Sequence, residues 1–526
     1  MKGTLKLPEI PDKELTPLVE QLLAIIEHQN AIIQELKDEI ARLKKQPPRP
    51  KIKPSSLHKN KNRSGKASRN KRPGSNKRAK TAKLTIHNNE PVEPELIPPG
   101  SQFRGYKDFV VQDLCIKSCN TRYRLKVYET PDGDFVTGTL PASLNGKHFG
   151  PTVIRFILYQ YFHCHVTQPL LLEQLHEFGV DISAGKLSHI LTEEKDRFHQ
   201  EKDRILSVGL EVSTYINVDD TGARHKGQNG YCTHIGNDAF SWFESTGSKS
   251  RINFLKLMRA GHSDFAINTE ALAYMQANKL PRRVLDAVTA KRGTLFANQS
   301  QWDAFLAAND IASPRHVQIA TEGVLIGSIV EHGISELLVI VSDDAGQFNV
   351  LLHALCWIHA NRAIDKIIPG SASAAKELDA VKDQIWNLYE GLKAYKQNPN
   401  PADKKQLDTS FDKIFTQCPN NIMLELALKR IYDNKSELLL VLDRPDIPLH
   451  NNSAENAIRE YVKKRKISGS TRSQSGRQCR DTFASLKKTC RKLGISFWQY
   501  LQDRIEGLGL IPDLPDLIRQ QAFKPG

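Results

Sequence analysis

Long apolar runs are missing from this 526-residue chain. None approaches the ~18 residues that a membrane-crossing helix needs, and Met1 to Glu14 has no apolar signal core. Neither a membrane span nor an export leader is expected, and the expected compartment is the cytosol. Cysteine is scarce as well. Eight residues scattered from Cys115 to Cys490 are too sparse for a disulfide framework and fit a reducing compartment. Acid is absent from Arg49 to Lys83, where 14 residues are Lys or Arg, and nearly absent from Arg459 to Lys492, where 12 basic residues face only Glu460 and Asp481. Because the whole chain carries +15, everything outside these two blocks is net acidic. Positive charge gathered in two segments points to a polyanion, with counterion release as the driving force, and nucleic acid is the first candidate. What is present, 39% hydrophobic and 25% charged residues, excludes a wholly disordered chain and suffices for three or four domains.

Residues 15–43 repeat with a seven-residue period. Val19, Ile26, Ile33 and Ile40 share one core position, and Leu15, Leu22, Gln29, Leu36 and Leu43 share the other. β-Branched residues at the first and Leu at the second favour a two-stranded parallel coil, with Gln29 as the polar residue that fixes register. Homo-oligomerisation through 15–43 is therefore expected, against the plainer alternative of a helix docked on the globular body. Pro47, Pro48 and Pro50 end this helix, and 47–84 has almost no large apolar residue with which to fold, which makes it a flexible basic tether.

A β-rich stretch follows, from Tyr123 to Tyr128 and Phe135 to Leu140 around a Pro131-Asp132-Gly133 turn, then an apolar helix from Pro151 to Cys164. Cys115 and Cys119 lack a second ligand pair at usable spacing, so two ordinary thiols are the better reading than zinc. Residues 167–192 read as helix, turn, helix. Thr167 and Ser183 act as caps, and Ser183, Lys186 and Ser188 stand where a recognition helix would meet a DNA groove; a plain helical hairpin has the same pattern.

The residues that carry chemistry begin at Ser213 to Asp220, a short buried strand delivering Asp219 and Asp220 at its end. A second strand, Leu337 to Val341, delivers Asp343 and Asp344. Glu455 stands in the first turn of a helix that Asn452 or Ser453 would cap. Three carboxylates can hold two Mg²⁺ ions roughly 3.5–4 Å apart for phosphoryl transfer, and hard cations prefer such oxygen ligands. In a chain with 59 Asp and Glu, the same residues can equally be loop acids or caps.

The ordered blocks Tyr215 to Arg224 (YINVDDTGAR), Asn229 to Asn237 (NGYCTHIGN), Gly247 to Leu255 (GSKSRINFL), Val341 to Phe348 (VSDDAGQF), Cys356 to Arg362 (CWIHANR) and His450 to Arg459 (HNNSAENAIR) resemble the insertion-sequence 66 family of DDE transposases, over most of residues 100–510. The resemblance implies an α/β fold with an RNase H-like catalytic core interrupted by helices, acting on transposon terminal repeats and target DNA with two Mg²⁺, Mn²⁺ being an alternative. It places the acidic triad, also the metal ligands, on Asp219, Asp343 and Glu455, and a bacterial location in cytosol or nucleoid. Asp220, Asp344, Asn452 and Arg459 become supporting neighbours. Cys356 and His359 form a motif whose function is either to orient the active site or DNA, or to lock a helix to the sheet. DNA phosphates are expected at Lys463, Lys464, Arg465, Lys466, Arg472, Arg477 and Lys186, with the Lys487 to Lys492 cluster adding positive charge. Helices at Ala374 to Tyr395, Ala402 to Thr416 and Ile422 to Leu440 fill the long gap before Glu455. Many relatives carry a cysteine-rich zinc segment that Cys115 and Cys119 alone do not restore.

The expected organisation is a coiled coil (1–46), tether (47–84), β-rich segment (85–150), helix-turn-helix-like DNA-binding segment (151–205), first part of the core (206–370), helical insertion (371–445) and core completion with basic C-terminal helices (446–526). The expected function is a transposase; the alternative is a catalytically silent DNA-binding regulator that keeps the fold.

Overall fold

The computed structural model describes residues 85–141, 144 and 147–522, and within the first 84 residues Gln29 alone, which is helical. The heptad stretch and the basic tether otherwise lie outside the described residues. The β-rich segment is a small antiparallel hairpin, β1 (Val127–Glu129) with β2 (Phe135–Thr137), closed by Gly133 at φ 86°. Its strands are shorter than the sequence predicts, and their side chains are all exposed.

Helix α1 (Pro151–Leu158) passes into a π turn at Tyr159–His163, followed by α2 (Gln168–Glu177), α3 (Ala184–Thr192) and α4 (Asp196–Val212). Ser183 does cap α3, its Oγ accepting from the Lys186 amide at 3.2 Å, while Thr167 makes no side-chain cap.

Next come β3 (Tyr215–Gly222), β4 (Tyr231–Gly236) and β5 (Ser241–Thr246). A first helical insertion follows, with α5 (Arg251–Met258), β6 (Phe265–Ala266), α6 (Thr269–Ala277), α7 (Arg282–Thr289), β7 (Leu295–Phe296), α8 (Gln299–Ala308) and α9 (Pro314–Glu331). The chain then returns to β8 (Val339–Ser342) and β9 (Leu352–Leu355) before α10 (Trp357–Asp365). The second insertion holds α11 (Ala372–Gln397), α12 (Pro401–Phe415), α13 (Ile422–Asp433) and α14 (Lys435–Leu438), close to the three helices predicted there. Four helices finish the chain: α15 (Asn452–Ser468), α16 (Gln474–Lys492), α17 (Phe497–Glu506) and α18 (Leu514–Ala522).

The central sheet has the order β5-β4-β3-β8-β9, antiparallel from β5 to β3 and parallel from β3 to β9. Side chains alternate between its faces. Ile216, Val218, Ile235, Trp242 and Ile340 turn to a large core shared with α4, α5 and α9. On the other face Val339 and Val341 meet Leu378, Ile385, Phe411 and Leu428 of the second insertion, and Cys232 and Phe243 meet Ala457, Ile458 and Tyr461 of α15. Helix α9 is buried continuously from Ile319 to Ile329. It approaches β6 so closely at Gly327 that a Cβ there would stand 2.3 Å from the Ala266 carbonyl oxygen, which only glycine tolerates.

Candidate active site

The parallel register pairs Tyr215 with Val339 and Asn217 with Val341, and Asp219 and Asp343 each follow two residues after that last pair, Asp343 just past the end of β8. Asp219 shares a face with Asn217, the face covered by α15. A pair of asparagines fixes that helix. The buried Asn217 donates from Nδ2 to Asn451 Oδ1 at 3.0 Å, and Asn451 Nδ2 donates to the Val218 carbonyl at 2.7 Å. Asn451 is the residue at the helix boundary, in place of the expected Asn452 or Ser453, and its side chain is committed to β3 instead of capping its own helix. Its carbonyl accepts the first helical bond, from the Glu455 amide at 3.1 Å, so the clamp on β3 also sets where Glu455 begins.

The Cys/His motif supports the same helix. Cys356 precedes α10 and its Sγ accepts from the Asn451 amide at 3.2 Å. His359 Nε2 lies 3.5 Å from Glu455 Oε1, and Arg362 Nη2 lies 3.3 and 3.4 Å from the two carboxylate oxygens. Arg362 Nη1 also contacts His359 Nε2 at 2.9 Å, and Arg459 approaches Glu455 at 3.8 Å. Both readings of Cys356 and His359 thus find contacts here, helix locking through the cysteine and contact with Glu455 through the histidine.

Asp219 is largely buried, its carboxylate accepting at 2.8 Å from the Asp220 amide. Burial first, then the charge of Asp343, raises its pKa to about 7, with Asp220 and Glu455 adding to the rise against the pull of the amide. His359 is pushed down by burial and by Arg362, while Glu455 and Asp343 act in the opposite sense. The three carboxylates therefore share one electrostatic neighbourhood. Their oxygens do not form a set within 4.8 Å of one another; among the described residues that spacing is met by His262, Asp264 and His332.

Asp220 and Asp344 are engaged elsewhere. Asp220 accepts from Gln347 Nε2 at 2.8 Å, and the exposed Asp344 pairs with Arg430 of α13.

The basic segment divides. Lys463, Lys466 and Arg472 are exposed, Arg477 is partly so, Lys186 is exposed on α3, and Arg465 reaches Thr221 Oγ1 at 3.2 Å. Lys464 departs from expectation by pointing inward. Its Nζ donates to the Tyr161 carbonyl at 2.8 Å over the Tyr161 ring, and burial pushes its pKa down to about 7. Lys487 is likewise spent on the Phe162 carbonyl and on Glu460, which Lys488 and Arg491 also pair; Lys492 serves the Phe240 carbonyl. Much of the charge assigned to DNA from the sequence holds α15 and α16 to the body, because long cationic side chains beside a carbonyl-rich π turn find acceptors within the protein.

The sequence reading missed Asn217, Asn451, Arg362 and Gln347. A signal was available only for Arg362, one turn after His359 on the same helix.

The family model described as Transposase IS66 family matches residues 332–479, a span containing Asp343, Cys356, His359 and Glu455. The chain belongs to the IS66 family of transposases. A relative in Sinorhizobium fredii (strain NBRC 101917 / NGR234), named as uncharacterized protein y4jO, is 41% identical over 312 residues, covering 59% of this chain and 97% of that protein. Membership in the IS66 transposase family implies DNA as the partner and a divalent metal requirement. None of the described helices is long and apolar enough to cross a membrane.

Proposed function

We propose that this IS66 family member is a DDE-type enzyme that cuts DNA at transposon ends and joins them to target DNA, with Asp219, Asp343 and Glu455 as its catalytic carboxylates on an RNase H-like core. The observation that supports it most is the convergence on one strand end: the parallel β3–β8 ladder stops two residues short of Asp219 and Asp343, the charges of Asp343 and Glu455 act on Asp219, and the Asn217–Asn451 clamp ties the start of the Glu455 helix to β3. The strand order, three antiparallel strands continued by two parallel ones, is compatible with that core.

The donors fit a hard divalent cation. They are carboxylate oxygens, and the upward shift of Asp219 comes first from burial and then from the charge of Asp343, the second of which a cation would offset. Asp219, Asp343 and Glu455 would hold Mg²⁺ or Mn²⁺, two ions in this reading; when bound, these supply activation of the attacking oxygen and stabilisation of the leaving one. The chain's own residues do the positioning. Asn451 and Cys356 set the helix, and His359 and Arg362 keep Glu455 paired and must yield it as it turns to the centre. Water attacks the phosphodiester at the transposon end, and the freed 3′-hydroxyl then attacks target DNA. Lys463, Arg465, Lys466, Arg472 and Arg477 line the approach for phosphates, and α2 and α3 form the helix-turn-helix-like reader with Lys186; backbone contacts set register and the reader adds sequence. Residues 15–43 would pair copies of the chain.

The second reading, a silent DNA-binding regulator, draws on Glu455 being held by Arg362 and His359. Incubating the protein with a labelled duplex of the element's terminal sequence in Mg²⁺ separates the two. Nicked and joined products from the wild type, absent with Asp343→Asn at equal DNA retention, support the enzyme. A retarded band that is never cut supports the regulator.

A further inference from the structure

His262, Asp264 and His332 offer ligand atoms that all lie within 4.8 Å of one another. They belong to the first insertion and to elements other than those carrying the proposed catalytic carboxylates. His262 and Asp264 come from the loop between α5 and β6, and His332 from the end of α9, seven residues before β8 begins. The carboxylate is the fixed member. Asp264 is buried, its Oδ2 accepts from Ser328 Oγ at 2.9 Å, its Oδ1 stands 2.7 Å from His332 Nε2, and its own carbonyl accepts from Arg259 Nη1 at 2.6 Å. An outer partner on a carboxylate and a pinned backbone are what a ligating aspartate needs to keep its place.

The two imidazoles stack at 3.4 Å between ring centres and 10° between planes. Two protonated rings so close would repel, whereas metal ligation requires both to be neutral. Parallel rings cannot both aim a lone pair at one point, so one must turn. His262 is the one free to do so, being exposed and following Gly261 at φ 96°.

We propose that His262, Asp264 and His332 form a second metal site, selective for a borderline divalent ion such as Zn²⁺ over Mg²⁺, with solvent completing the coordination. Two nitrogens and one oxygen select Zn²⁺ where the all-oxygen catalytic set selects Mg²⁺. The ion would staple the α5–β6 loop to the end of α9, the segment that leads directly into β8 and Asp343.

The test uses the full chain, stripped of metal and held in excess Mg²⁺ to occupy the carboxylate set, with Cys115→Ser, Cys119→Ser, Cys164→Ser and Cys418→Ser as background to remove the exposed thiols. Zn²⁺ alone is the probe, measured by competition with a chromophoric chelator, and Co²⁺ provides a visible ligand-field spectrum. One equivalent bound in this background, lost in the His262→Ala/His332→Ala double variant along with the Co²⁺ bands, is expected. Equal Zn²⁺ uptake by the double variant overturns the site. Should that variant misfold by circular dichroism, His262→Ala alone decides: its side chain is exposed, and with folding checked by circular dichroism an affinity loss of at least about 10-fold supports the site and an unchanged affinity refutes it. Asp343→Asn should keep this Zn²⁺ equivalent, so failure of the catalytic proposal leaves the second site standing.

Discussion

At one end of the central sheet, Asp219 feels the charges of Asp343 and Glu455, and among the described residues no cation pairs with it. Their chain neighbours Asp220 and Asp344 have partners, Gln347 in one case and Arg430 in the other. Asp220, one position along and on the other face of the strand, is also pushed up by burial and by the charge of Asp343, but Gln347 and Lys249 oppose that rise, help that no side chain among the described residues gives Asp219. A half-buried acid beside like charges with only a backbone amide to oppose them is unfavourable for the fold alone and invites a functional explanation, whereas an acid with a side-chain partner does not.

The contrast is broken most severely by removing a carboxylate from the first group. Asp343→Asn or Asp219→Asn should lower cleavage by at least about 10³-fold, beyond the roughly 10–100-fold cost of losing an outer partner of a metal ligand. Product formation in Mg²⁺ at saturating DNA measures it, and cleavage within 10-fold of wild type would remove these residues from the chemistry. A smaller loss is expected when the supporting contacts go. Asn451→Leu strands the Asn217 amide and the Val218 carbonyl, costing about 1–3 kcal/mol in urea unfolding, and by shifting the start of α15 it should lower cleavage while sparing DNA retention.

Stability against pH sharpens the contrast further. The pKa of Asp219 is raised from 3.8 to about 7, so the folded state binds more protons than the unfolded one between those values. The contribution is therefore favourable at low pH, falls as pH rises through that window, and is lost above pH 7. Asp219→Asn abolishes this fall. In chelator, its stability relative to wild type should rise from pH 5 to pH 8 by on the order of 2 kcal/mol, whereas Mg²⁺ at pH 8 should narrow the gap by stabilising the wild type. A gap that stays flat with pH would mean that Asp219 is not held among buried like charges.

How much of this could be read in the sequence depended on whether a signal was local. Asp219 and Asp343 each end an apolar run, and helices such as α11 and α12 carry an apolar stripe at helical spacing, so these features announce themselves. Glu455 was legible as a first-turn carboxylate behind a candidate cap, and the resemblance of its block added the role. Of the first insertion only the Gly247 to Leu255 block at its start was legible, and α9 explains part of that: a helix buried on all sides from Ile319 to Ile329 has no solvent-facing polar stripe to reveal its period. Lys464 was misread for the opposite reason. A run of four basic residues looks uniformly solvated, yet a helix turns one of them inward, and the acceptor waiting there, the Tyr161 carbonyl, is 303 residues away in sequence. The Asn217–Asn451 clamp spans 234 residues and is equally invisible to any local pattern.

The smallest effect falls on the partnered acids and gives the contrast its sharpest control. Asp344 is exposed and its ion pair with Arg430 is exposed on both sides, a class of contact worth about 0–1 kcal/mol. Asp344→Asn should leave cleavage within about 3-fold of wild type and unfolding within about 1 kcal/mol. Asp220→Asn keeps a side-chain oxygen that can still accept from Gln347, so its cost should be similarly slight. If instead Asp220→Asn abolishes cleavage while Asp219→Asn does not, the strand presents its other face to the phosphodiester, and the orientation argued from Asn217, Asn451 and Glu455 fails. Making the two substitutions in parallel therefore tests the direction in which β3 points its acids, independently of which metal the carboxylates hold.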